Sequence, residues 1–147
     1  MFGDFGMESK SEGKPWTEDS PMYTIRVTVK KIAGPRHKPP ERPGCFLQVG
    51  DSFDYCDDHG FPVVHNIKGN ICGPAFVAMF PQIQAMRHGA VGTRLSTLTS
   101  TQDMGLQCCP DPDGLVIFEV KRIKKIDLEK ARKLVSKAIL EKEKQKQ

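Results

Sequence analysis

The stretch Gly69-Asn70-Ile71-Cys72-Gly73-Pro74-Ala75-Phe76 leaves the backbone few paths. Proline is tolerated in the first turn of a helix, where its missing N–H is not needed, and Gly73 before it can cap that turn. Ala75, Phe76, Met79, Phe80, Ile83 and Met86 then recur at helical spacing and mark one apolar face. Gly89 is a stop, with Arg87 and His88 in the last turn, where cations suit the helix dipole. Pro81 lies inside this run and is expected to kink the helix or split it in two. Cys72 falls just before the first turn. Partial positive charge at a helix N-terminus favours a thiolate, the form that binds metals and attacks electrophiles. The plainer reading is a small apolar side chain packing the start of the helix.

Strand patterns precede this helix. Tyr23, Ile25, Val27 and Val29 alternate with Thr24, Arg26, Thr28 and Lys30, which predicts a strand with one buried face. Residues 44–53 read as a short strand, a Gly50-Asp51 turn and a second strand. Tyr55 to Gly60 ends in another turn, and Phe61 to His65 is a further strand candidate. The Asp54, Asp57 and Asp58 spacing fits no calcium loop. Between them, residues 33–44 hold four prolines and two glycines and predict a rigid, irregular loop. That loop is basic but has no interleaved aromatics on which bases could stack.

After the helix, residues 90–103 show no clear period and read as a loop or ragged helix. Met104 to Cys109 and Leu115 to Ile123 predict a hairpin closed by Pro110-Asp111-Pro112-Asp113-Gly114. Asp127 is an N-cap, and Leu128, Ala131, Leu134, Val135, Ala138 and Ile139 mark one face of a last helix. The expected fold is therefore α+β: a small antiparallel sheet, one central helix and an added C-terminal amphipathic helix. Its parts are an irregular arm over 1–22, a core domain over 23–126 and the helix over 127–147.

Charge is uneven along the chain. From Lys121 to Gln147 there are eleven Lys or Arg against four Asp or Glu, net +7, while the first 120 residues carry net −3. The basic character thus belongs to the C-terminus. No run of about 18 apolar residues exists, which predicts no membrane-spanning helix. No basic-then-apolar leader pattern opens the sequence, so the expected location is the cytoplasm. Five cysteines, an odd number, then argue for reduced thiols rather than a disulfide framework. The arm carries Phe2, Phe5, Met7 and Trp16, large apolar residues suited to anchoring on a partner.

Several short motifs occur in a fixed order. They are Gly44-Cys45, Gly50-Asp51-x-Phe53, Gly69-x-x-Cys72-x-x-Ala75, Pro81 followed by Arg87-x-Gly89, and Cys109-Pro110-Asp111 leading to Val116-x-Phe118. Together, over residues 23–123, they resemble a family of small prokaryotic proteins with three scattered cysteines. The resemblance implies a compact α+β domain with Cys45, Cys72 and Cys109 at the family's cysteine positions. It implies no particular reaction.

Those three thiols, with His65 or Cys108 as fourth ligand, would suit zinc or an iron–sulfur cluster. The alternative is a cysteine nucleophile, Cys72, with His65 or His88 as base and Asp111 orienting it. No phosphate-cradling glycine loop is present. The expected role is an accessory subunit of a larger enzyme assembly, joined through the arm and the C-terminal helix. A stand-alone thiol enzyme and a nucleic-acid binder using the basic C-terminus are the other classes, the last requiring salt-dependent binding.

Overall fold

The computed structural model describes residues 22–33, 46–90, 103–111 and 114–146. The arm before Met22, the basic loop with Cys45 and most of 90–103 lie outside them.

Strand β1 (Met22–Ile32) is the central strand of the sheet. It pairs antiparallel with β2 (Ser52–Tyr55) on one side and β5 (Val116–Ile126) on the other. Strand β3 (Val64–Lys68) extends the sheet beyond β2, and β4 (Met104–Cys108) extends it beyond β5. The order is β3-β2-β1-β5-β4, with every pairing antiparallel. Strands β4 and β5 pair as the expected hairpin, while residues 112–113 of its turn lie outside the described residues.

Helix α1 (Gly73–Arg87) lies on one face of the sheet. Ala75, Met79, Ile83 and Met86 cover Ile25, Val27, Val29, Phe53, Phe118 and Val120, all buried. Full burial of each large side chain contributes about 1.5–3 kcal/mol. Phe76 and Phe80 form an aromatic cluster with Phe53 and Tyr55. Phe53 and Phe76 are 5.7 Å apart, and Tyr55 meets Phe80 edge-on at 5.8 Å. The pairing of Arg26 with Asp54 falls on the opposite face, where their side chains meet at 2.7 and 2.9 Å. Asn66 Nδ2 adds a bond to the same carboxylate at 3.0 Å. Burial alone pushes the Asp54 carboxyl up, but the hydrogen bonds from Arg26 and Asn66 and the Arg26 charge outweigh it and hold the carboxyl below its usual range.

Helix α2 (Leu128–Lys144) starts where expected: the Asp127 carboxylate accepts from the Lys130 N–H at 3.0 Å. No helix among the described residues is long and apolar enough to cross a membrane.

Four local expectations change or narrow. Of the kink and the split expected at Pro81 the split does not occur, since helix α1 runs through it as one element. Pro81 faces solvent, so water can satisfy the Val77 carbonyl that loses its N–H partner. The N-cap is Cys72 rather than Gly73, which is already helical. Residues 46–48 are a bend and an irregular segment, because they pair with no strand of the sheet and the Gln48 N–H goes to the Asp51 carboxylate instead. The strand expected over 61–65 is shifted to Val64–Lys68, after Phe61 N–H is drawn into a turn by Asp57.

Candidate functional site

Strands β2 and β3 form a hairpin, and the pairing of Ser52 with Lys68 sets Asp51 beside Gly69. Two motifs well separated in sequence are thereby joined. The Asp51 carboxylate accepts from the backbone N–H of Gln48 at 2.9 Å and of Asn70 at 3.3 Å. Asn70 Nδ2 then donates to the Phe46 carbonyl at 3.0 Å. Val29 N–H to the Asp51 carbonyl and Gly50 N–H to the Val29 carbonyl, both 2.9 Å, pin the loop to β1. Gly69 has φ +73°, and a Cβ there would fall on the Asp51 carboxylate. Glycine is required at this point for space as well as for backbone conformation.

This junction delivers Cys72 to the mouth of α1. Its backbone is extended, and its carbonyl accepts the first helical bond from Phe76 N–H at 2.9 Å. The residue is half-buried. It borders an internal space of about 10 Å³ shared with Asp51, Ser52 and Asn70. That is room for a single water at most.

The histidines considered as its base lie elsewhere. His88 is the C-cap of the same helix, and 15 helical residues span about 22 Å. His65 pairs with Asp54, and its Nδ1 lies 3.3 Å from the Asp54 carbonyl. Asp54 alternates with Phe53 and Tyr55, which face α1, so His65 and Cys72 belong to opposite faces of the sheet. The nucleophile–base pairing expected from sequence is not assembled in this geometry.

Cys109 follows β4 at the end of the sheet where β1 finishes. Its N–H bonds the Val116 carbonyl at 2.8 Å, and its Sγ accepts from Asp111 N–H at 3.5 Å. Like Cys72, it packs on the core. Cys108 pairs with Ile117, one position before Phe118, so it belongs to the other face. His65 sits on the far edge strand, four strand spacings from β4 or about 19 Å. It cannot complete a tetrahedral site that includes Cys109, which corrects that part of the expected ligand set. Among the described residues no three His, Cys, Asp or Glu side chains gather closely enough to hold a metal ion. Cys45 lies outside those residues.

One thiol was missed by sequence reasoning. Cys56 is fully buried, with φ +78°, and stands beside Arg87. Burial pushes its thiol up, against the pull of the guanidinium. Arg87 is itself buried and donates to the Gly60 carbonyl at 2.7 Å, which ties α1 to the turn after β2. The sequence carries no signal for it, since the left-handed backbone at Cys56 is visible only in the fold.

A second region is defined by α2. Of its 17 residues only Ala131 is buried. Leu134, Ile139 and Leu140 are 40, 52 and 57% exposed. An open groove of about 280 Å³ runs between this helix and the 59–61 turn.

Comparison of the chain with protein-family models, curated proteins and solved structures gives no match.

Proposed function

We propose that this chain is an accessory subunit that binds another protein through α2. The observation that carries the reading is the exposed apolar surface of that helix. Leu134 and Ile139 lie on the same stripe as the buried Ala131 but stay open to solvent. Apolar side chains arranged in this way favour a partner surface over water. The N-terminal arm lies outside the described residues and adds nothing to the argument. The test is the native mass of the chain isolated from cells that make it. A stoichiometric complex that Leu134→Glu with Ile139→Glu dissolves is expected. Recovery of only the 16.4 kDa monomer would overturn the reading.

A second reading, metal binding, rests on two of the motif cysteines. Cys72 and Cys109 pack on the same core, and the carbonyl of Phe46, the residue after Cys45, is held by Asn70. Thiolates of this kind suit zinc or an iron–sulfur cluster, with Cys45 as the third ligand and Cys108, on the other face of the sheet, no longer a candidate for the fourth. Elemental analysis of protein purified without oxygen decides it. One zinc, or iron with sulfide, per chain that is lost in Cys72→Ser and in Cys109→Ser supports it; metal-free protein refutes it.

A further inference from the structure

We propose that the groove between α2 and the 59–61 turn receives an acidic amphipathic helix of a partner protein. This rests on the accessory-subunit reading and names the chemistry of the partner. One wall is a single helical stripe, Leu128, Ala131, Arg132, Val135 and Ser136, at the spacing of neighbouring turns. The opposite wall is Met22, His59, Gly60 and Phe61. The open groove, about 280 Å³, has room for the side chains of an occupant lying against α2. The stripe continues past the groove to Ala138 and Ile139, as an elongated occupant requires.

Charge selects the occupant. Helix α2 itself carries six Lys or Arg against three Glu, net +3, so a second copy laid along it would bring like charge against like charge. Acidic groups on the facing turn are already engaged. Asp57 accepts from the N–H of His59 and of Phe61, and Asp58 bonds Lys124 at 2.7 Å. A partner with carboxylates flanking its apolar residues complements the net positive charge of α2. A membrane surface fits less well, because the turn walls one side of the stripe and the buried Ala131 is closed to lipid.

The full chain is titrated into a fluorescein-labelled peptide of about 15 residues, long enough for a marginal helix. The peptide has leucines at i, i+3, i+4 and i+7 and glutamates on its other face. A control of the same composition has its leucines scattered. Binding tighter than about 100 µM is expected for the first peptide, and at least tenfold weaker binding for the control. Ser136→Glu on one wall and Phe61→Ser on the other should each weaken the first peptide about tenfold while circular dichroism stays unchanged. Absence of binding, equal binding of both peptides, or indifference to both substitutions would overturn the proposal. So would preferential binding to phosphatidylglycerol vesicles, or a dimer by sedimentation that Ser136→Glu dissolves. A native complex that survives Ser136→Glu but not the Leu134→Glu, Ile139→Glu pair would sink the groove and leave the accessory role standing.

Discussion

Replacing Gly69 with alanine puts a methyl group where the Asp51 carboxylate already is. The backbone there has φ +73°, and a Cβ in the left-handed region costs about 1–2 kcal/mol. Reduced freedom of the unfolded chain returns about 0.4–1 kcal/mol. The displaced carboxylate then loses its bonds to Gln48 and Asn70, at about 1 kcal/mol each for solvent-facing bonds. The net loss is about 2–3.5 kcal/mol. Gly50 supplies the control. Its φ is +96°, but an added Cβ meets nothing within 4 Å, so Gly50→Ala should cost only about 1 kcal/mol. Urea unfolding followed by far-UV circular dichroism measures both. With a slope of about 2 kcal/mol/M, the Gly69→Ala midpoint should fall by about 1 M. In an Asp51→Ala background the Gly69→Ala loss should shrink to that of Gly50→Ala. Equal losses at the two glycines, or an unchanged Gly69→Ala loss without the carboxylate, would refute the account of the junction.

Three further outcomes follow from the fold. Ile83→Ala, at a fully buried position, should lower stability by about 2–5 kcal/mol, and Val77→Ala on the exposed side of α1 by less than about 0.5 kcal/mol; similar losses in urea titrations would mean the helix packs on another face. Pro81→Ala should raise stability by about 1–3 kcal/mol, because it restores an N–H to the Val77 carbonyl on a solvent-facing turn; a lower melting temperature would contradict this. The Asp54 carboxyl is held below its unfolded value, so its contribution is present above that value, about pH 3.9, and is lost as pH falls through the folded value. Asp54→Asn should therefore be less stable at pH 6 and lose less than the parent between pH 5 and pH 3; parallel curves would remove Asp54 as the acid-sensitive group.

Most of the architecture was legible because its signals are local. The alternation from Tyr23 to Lys30, the Gly73-Pro74 start of α1 and the Asp127 cap each act within a few residues. The strand after Phe61 was misplaced because β3 is an edge strand, and exposed Asn66 and Ile67 blur its period. At Pro81 a kinked and a split helix stayed open from sequence, because the outcome depends on which side of the helix meets water. In the candidate site, Cys72 at the helix mouth could be read from its neighbours. Its connection to Asp51 could not, since only the register of Ser52 on Lys68 brings Gly50-Asp51 to Gly69-Asn70. His65 failed as a ligand for the same reason: a sequence gives no strand order, and this order separates β3 from β4 by three intervening strands.

The guanidinium of Arg87 grips the carbonyl of Gly60, and it does so from the last turn of the rod whose first turn begins at Cys72. Any force that shifts the 59–61 turn is therefore delivered to a stiff lever about 22 Å long, with a sulfur at its far tip. Mechanically, the groove side and the thiol side of this small domain are two ends of one beam.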